Sequence, residues 1–372
     1  MLELKVVKGE LLKGVSRTQS IAEKRSSMPI LSNILLQVEE DKFAITATDL
    51  EISFKGIYKA EIVSPGRLTV PARKLYEIIH EMSNENLSLK ESDSFNLSIT
   101  GSRSNYQLHG LSAEDFPPMP DYEQIKSILI NSEILKDMID KTIYSVTTEE
   151  TRYILGGVYV EHIIDHSKNT LRFTSTDGHR LSLVDSKVEG LENLELEKGV
   201  IISRKGLAEM RKLADEGGEL KLAFTSNSAV LIKDEAVLVM RLLEGRFPDY
   251  NLVIPKNNVK IMTLSRTGFL EALRRISVMS TERYKGTKFI VRPKNLTLTA
   301  VNPDLGEAQE DLLAEYEEEE ITMGFNVRYF IETLSTLRSD VVSLAFNGPK
   351  SPCLIKGDED KGFIGVIMPM KV

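Results

Sequence analysis

Tryptophan is absent from the 372 residues, and cysteine occurs once, at Cys353. The missing tryptophan excludes nothing. A lone cysteine excludes an intrachain disulfide and fits a reducing cytosol. No apolar run approaches the roughly 18 residues of a membrane span, and the start, MLELKVVKGE, lacks the basic and apolar sections of a signal peptide. A cytoplasmic location is therefore expected. Positive charge is not in excess either: the formal net charge is −8. That argues against a uniformly basic nucleic-acid binder but leaves room for a basic surface set inside an acidic body. What is present is ordinary for a globular protein, with 41% hydrophobic and 27% charged residues. The length suits two or three domains, each able to bury its own core.

The residues that chemistry would need are also missing. His162 and His166 have the i,i+4 spacing of a helical metal pair, but the EHIIDH segment reads as a strand end and turn. Asp177 and His179 flank Gly178 and suggest a hydrolytic acid-base pair. An aspartate that fixes a turn by accepting backbone N–H bonds is the competing explanation, because Asp49 recurs without a histidine. Gly156-Gly157 and Gly217-Gly218 are isolated turn pairs and do not form a phosphate-cradling loop. Cys353 follows Ser351-Pro352 with no base nearby in sequence. No enzyme, cofactor or metal is expected.

What the chain does have is a phrase written three times. Phe173 to Val184, FTSTDGHRLSLV, is a strand that breaks at Asp177-Gly178 and restarts at Leu181. FAITATDLEISF (43–54) repeats it with Asp49 at the break, and LTLTAVNPDL (296–305) with Asn302 and Asp304. The spacings, 128 and 125 residues, are about a third of the chain, which implies one domain triplicated. Each third reads as strand, helix, strand pairs, second helix and closing strands. The helices are expected at 8–25, 72–82, 131–146, 203–216, 265–280 and 326–338. Leu207, Met210 and Ala214 face the sheet. The first two thirds end in Phe116-Pro117 and Phe247-Pro248, which read as linkers because proline cannot continue a sheet. The charge run EYEEEE (315–320) reads as a solvated outer edge.

The second helix of each third starts with a basic residue: Arg73, Arg204 and Arg328. The six expected helices carry 18 Lys or Arg against 12 Asp or Glu, while the whole chain is negative. Arg204 and Arg211 are seven apart, as are Lys205 and Lys212, so each pair stacks on one helix side. Basic residues can simply decorate exposed helix faces. If instead the helices line one surface, that surface suits a phosphate backbone. No strand interleaves aromatics as a base-stacking platform does, so duplex held through its phosphates is the better expectation.

Seven fragments occur in order: MPILSNILLQV (28–38), VPARKL (70–75), TRYILGGV (151–158), TDGHRL (176–181), GRFPDY (245–250), FNVRYF (325–330) and MPM (368–370). Together they resemble the bacterial DNA polymerase III beta subunits, the replicative sliding clamps, from end to end of the chain. The resemblance implies an α+β fold of three similar clamp domains, at 1–122, 123–255 and 256–372. Each has two helices packed on antiparallel sheets. The three form a crescent, and two crescents make a homodimeric ring. It implies a non-catalytic processivity factor that encircles double-stranded DNA without reading sequence and tethers the replicative polymerase. A triplicated scaffold that binds only proteins is the alternative.

The implied partners are the DNA polymerase III alpha subunit, the clamp loader and other proteins carrying a clamp-binding motif. Arg25, Arg73, Arg152 and Tyr153 match positions near duplex, and the helix starts add Lys74, Arg204, Lys205 and Arg328. A groove for partner peptides is implied at Leu155, Thr176, Gly178, His179, Arg180, Leu181, Pro248, Val253, Asn326, Tyr329, Val366, Ile367, Met368, Pro369 and Met370. Methionine suits such a site because it repacks around different ligands. Tyr106 and Leu108 are implied to meet the partner copy's equivalents of Val278 and Met279. Three departures from the family pattern are Ile154, Leu252 and Lys371-Val372.

Overall fold

The threefold repetition of the sequence reappears as strand order. The computed structural model describes residues 1–22, 28–122, 125–165, 168–194, 196, 198–281 and 283–372. It contains two compact units. The first comprises residues 1–131, 192–195 and 218–242, and the second comprises 132–191, 196–217 and 243–372.

In the first unit an eight-stranded antiparallel sheet runs Ser127–Asn131, Glu219–Phe224, Ser228–Lys233, Ala236–Arg241, Ile52–Tyr58, Phe43–Thr48, Asn33–Val38 and Gly66–Pro71. In the second unit an eight-stranded sheet runs Val200–Ser203, Gly157–Asp165, Lys168–Thr176, Arg180–Ser186, Phe363–Ile367, Cys353–Gly357, Val341–Phe346 and Lys260–Ser265. Each is two four-stranded halves from different thirds of the chain, joined at one seam. At the first seam Leu238 pairs with Phe54, and at the second Leu183 pairs with Ile364. Two sheets remain single. One is Glu61–Ser64, Glu3–Val7, Asn86–Ser92, Asn96–Thr100 and Asn105–His109; the other is Gly306–Leu313, Asn295–Asn302, Gly286–Arg292 and Ile321–Asn326. The thirds are therefore three domains of antiparallel sheet plus helices, and their sheets continue across both domain boundaries.

Six α-helices lie among the described residues: α1 (Lys8–Thr18), α2 (Ala72–Glu81), α3 (Ser132–Asp140), α4 (Arg204–Ala214), α5 (Arg266–Ser277) and α6 (Val327–Thr336). They pack as pairs, α1 on α2, α3 on α4 and α5 on α6. Each buries residues spaced three and four apart, as in Phe269, Leu273 and Ile276 of α5. Leu207, Met210 and Ala214 are buried as the pattern requires. In the third domain Phe269, Phe289, Phe325 and Phe330 pack around α5 and α6 with centroids 5.0–6.1 Å apart, four pairs edge to face and Phe289–Phe330 tilted at 34°.

All six helices are shorter than the sequence suggests, α1, α3 and α5 by four residues or more. α3 stops at Asp140 because the Thr142 hydroxyl donates to the Met138 carbonyl at 2.7 Å, competing with the next helical bond. Ile143–Ser145 then forms a separate 3-10 turn. α1 ends at Thr18, whose hydroxyl bonds back to the Val15 carbonyl in the same way. α5 ends at Ser277, where the Ser277 hydroxyl donates to the Arg274 carbonyl. Within MPILSNILLQV the strand begins only at Asn33, since Pro29–Ser32 is a 3-10 turn opened by proline. The linkers also prove to be packed: Met119, Tyr122 and Ile125 cover Val230, Val237 and Val239. Phe247 stacks on Tyr159 at 5.0 Å and 6°.

Candidate nucleic-acid and peptide interfaces

The repeated phrase makes the same turn in all three domains. Asp49 Oδ1 accepts from the N–H groups of Glu51 and Ile52 at 2.9 and 2.6 Å. Asp177 Oδ1 accepts from His179 and Arg180 at 2.9 and 3.0 Å, and Asn302 Oδ1 from Asp304 at 3.0 Å. The aspartate is thus a turn residue and not half of an acid-base pair. In the second domain the turn bears an added load. Arg180 is buried; its Nε donates to Asp177 Oδ2 at 3.0 Å, and its other nitrogens reach Glu332 of α6 and the Tyr144 carbonyl. Its guanidinium lies 4.6 Å from the Tyr329 ring centroid and 5.3 Å from that of Tyr144. Burial and the nearby Asp177 carboxylate push the Tyr329 phenol above its usual value.

Beside this turn lies an apolar floor. Leu181, Leu183, Ile201, Phe247, Tyr250 and Val366 form one buried cluster, with half-buried Leu155, Ile154 and Ile254 packed against it. Met368 donates its N–H to the His179 carbonyl at 2.9 Å, so the last residues run alongside the turn. Gly178, His179, Pro248, Val253 and Met370 are exposed, while Thr176, Asn326, Tyr329, Met368 and Pro369 are half-buried. Val366 and Ile367 are buried. Asn326 caps α6, its Oδ1 accepting from the Arg328 N–H at 3.1 Å.

A network that the sequence did not reveal fixes the 247–254 segment. Arg172 grips Asp185 through two bonds of 2.6 and 2.7 Å, and its third nitrogen donates to the Tyr250 hydroxyl at 3.2 Å. Tyr250 in turn donates to Glu161 at 2.6 Å. Burial raises the Glu161 carboxyl and pushes the Tyr250 phenol up to about 12. GRFPDY marked this segment as a linker and, through the resemblance, Pro248 and Val253 as groove residues, but not this network. Its polar partners, Arg172 and Glu161, lie 78 and 89 residues away.

The basic candidates fall into two groups. Arg73, Arg204 and Arg328 all sit exposed in the first turn of α2, α4 and α6, and none of these helices has a carboxylate in that turn. Lys205 is beside Arg204, and Arg73 and Lys74 both pair with Glu77. Arg73 and Lys74 line an open basin of about 670 Å³ with Gln19 and Ser32. Arg152 is placed differently: its Nη1 donates to the Asp177 carbonyl at 2.7 Å, against the turn. Tyr153 beside it is exposed. Arg25 lies outside the described residues, as does His166. His162 is on a strand and bonds Asn169 of the paired strand.

Arg211 does not extend the Arg204 face as a free charge, because Asp140 and Asp215 engage it. α3 itself is acidic, with Glu133, Asp137 and Asp140 against Lys136. The six observed helices still carry 14 Lys or Arg against 9 Asp or Glu. Cys353 is buried, and burial pushes its thiol up, leaving it unreactive.

Three family models match in order: DNA polymerase III beta subunit N-terminal domain at residues 2–120, central domain at 129–249 and C-terminal domain at 251–371. The chain is 36% identical over 375 residues to the beta sliding clamp of Caulobacter vibrioides, covering all of both chains. The chain belongs to the DNA polymerase III beta subunit family. The Pseudomonas putida beta sliding clamp is 32% identical over 97% of this chain and 98% of its own. A crystal structure of the Caulobacter crescentus clamp superposes with TM-score 0.94 at 35% identity, covering 100% and 99% of the two chains. The Bartonella birtlesii clamp, solved bound to griselimycin, gives TM-score 0.94 at 31% identity over all of both chains.

Against the sliding-clamp family, Ile154 is turned inward, its side chain 3.0 Å from where a Cβ on Gly245 would sit. Leu252 is 84% exposed. Of the expected junction residues, Tyr106, on the edge strand Asn105–His109, and Val278, just beyond α5, are exposed at 40% and 75%. Leu108 is buried within its own domain, on the same strand face as Tyr106, and Met279 is half-buried.

Proposed function

We propose that this chain works as a homodimeric ring that encircles duplex DNA and tethers the replicative polymerase in the cytoplasm. It would do so without chemistry and without reading sequence. The observation that carries the reading is the seam pattern. Ile52–Tyr58 of the first domain pairs with Ala236–Arg241 of the second, and Arg180–Ser186 of the second pairs with Phe363–Ile367 of the third. The third member of each series, Gly306–Leu313 and Asn105–His109, is an edge strand. Head-to-tail joining of two copies along these edges repeats the internal seam and leaves no such edge open. Tyr106 then meets the partner's Val278 and Met279, covering the inward face it shares with Leu108. The edge carries Glu307 and Asp311, complementary to Arg103 near the other. On this reading the domains divide at 1–122, 123–255 and 256–372.

First-turn arginines support the DNA side. A cation there opposes the helix dipole, so its repetition at Arg73, Arg204 and Arg328 points to an anionic ligand. Lys74, Lys205, Arg152 and Tyr153 are assigned to duplex contact as well, as is Arg25, which lies outside the described residues. The floor of Leu155, Leu181 and Val366, rimmed by Thr176, Gly178, His179, Pro248, Val253, Asn326, Tyr329 and residues 367–370, is assigned to the apolar residues of a partner peptide, with Arg180 bracing it from beneath. The alpha subunit of the polymerase, the clamp loader and other proteins with that motif would compete for it. The Bartonella clamp's binding of griselimycin is in keeping with a ligand site on this fold.

The test is retention on DNA. A ring is expected to stay on closed circular duplex and leave after linearisation, whereas a scaffold binding only proteins would show no difference between the two. Each phosphate contact removed, as in Arg204→Ala, is expected to lower the salt slope by about 0.9 with no change in base preference.

A further inference from the structure

A second feature borders the chain's last residues. Met370 donates its N–H to the Gly324 carbonyl at 2.8 Å. Val372 lies against Gly286 and Gly324, where an added Cβ would come within 2.5 Å of its methyl groups. Glycine at both positions lets this segment lie flat on strands Gly286–Arg292 and Ile321–Asn326. Beside it opens a cavity of about 350 Å³ walled by Arg283, Tyr284, Lys285, Lys288, Met370 and Lys371, among others. Four of these six are cations, and among the described residues lining it no side chain is a carboxylate. The Arg283 guanidinium sits 5.5 Å from the Tyr284 ring centroid, which steadies its charge at the wall.

Like charges gathered around one opening repel each other, and an anion that enters relieves that repulsion. The rest of the wall, Tyr284, Val301, Met370 and Val372, is largely apolar. It suits a flexible chain that carries both carboxylates and methylene groups. Met370 lines this cavity and is also assigned to the rim of the apolar floor, which on that reading sets the two side by side. We propose that this cavity receives an acidic flank of the partner peptide whose apolar residues occupy the floor beside Leu181 and Val366. The proposal rests on the peptide-groove reading above. It adds a charge rule to partner choice: among peptides with equal apolar anchors, those with flanking Asp or Glu bind more tightly at low salt.

The experiment uses the full-length protein and fluorescent peptides sharing one apolar core. Their flanks, placed before or after that core, are either Asp-Glu or Ser-Gly. One acidic-flank peptide is expected to bind about three- to tenfold tighter than its neutral counterpart at low salt, the range for a few exposed ion pairs. The preference should fade near 0.5 M salt, where screening is short-ranged. Arg283→Gln combined with Lys288→Gln is expected to abolish the preference while leaving neutral-peptide affinity unchanged. Equal binding of acidic and neutral peptides to the unaltered protein would overturn the cavity assignment alone. Failure of every peptide to bind would instead remove the groove on which it stands. A short single-stranded oligonucleotide weakened by the double substitution, with peptide preference intact, would also overturn the proposal by assigning the cavity to nucleic acid.

Discussion

Leu50 and Gly178 occupy the same place in two copies of one turn, each donating its N–H to a threonine hydroxyl two residues earlier at 3.1 Å. Both have left-handed backbone, with φ of 73° and 87°. Glycine accepts that region freely, whereas a leucine Cβ meets the following carbonyl. Leu50→Gly is accordingly expected to stabilise the protein by about 1 kcal/mol, read as a higher urea midpoint. Gly178→Ala should do the reverse, because its Cβ would also sit 3.1 Å from Arg152 Nη1. A second residue-scale prediction concerns Asp360, 2.9 Å from Lys141 in a pair whose side chains are 1% and 5% exposed. Burial alone would raise this carboxyl. Bonds from the Ser339 hydroxyl, Lys141 and the N–H groups of Ser339 and Arg338 outweigh it and hold the group below its ordinary 3.8. The stability it lends is therefore full above that value and lost as pH falls through the lowered one. Asp360→Asn is expected to cost about 1–3 kcal/mol at neutral pH, since Lys141 keeps Asp137 at 2.7 Å. The gap from the unaltered protein should narrow in urea titrations below about pH 4.

At the scale of elements, the sequence's apolar spacing located all six helices because one face of each must be buried. Where they stop was not legible, since α1, α3 and α5 end at local side-chain bonds that periodicity does not record. The excess of positive charge on helices survives that shortening, but its meaning is sharper by position than by count. Arg211 is spent on Asp140, while Arg204 stands exposed in the first turn of its helix. Arg204→Glu should therefore raise stability by about 0.5 kcal/mol through the helix dipole while weakening retention on circular DNA. Improved stability with unchanged retention would take α4 out of the DNA surface. The Met368–Met370 strip was legible as a motif, but its hydrogen bond to His179 was not. Deleting residues 368–372 is expected to abolish peptide binding without altering dimer mass.

For the whole molecule, the two seams decide how the repeats are used. A domain ending in an exposed edge strand offers unpaired N–H and C=O groups to any strand that fits, and each internal seam satisfies them with the next copy of the repeat. Tyr106→Glu combined with Val278→Glu places like charges where the third seam would close. Sedimentation of this variant at micromolar concentration should give the monomer mass, with the unfolding midpoint of each domain little changed. A dimer that persists would move the junction elsewhere.

The sequence by itself determined the repeat, the turn residues Asp49, Asp177 and Asn302, and the buried helix faces. These follow from local backbone demands and from the burial of one face, which neighbouring residues encode. Only the tertiary structure decided that the sheets run through the domain boundaries, that Arg180 and Arg152 brace a turn, and that Tyr250, Arg172 and Glu161 anchor a linker. Those outcomes depend on partners tens of residues apart, and spacing along the chain carries no record of which distant carboxylate or carbonyl a guanidinium will meet.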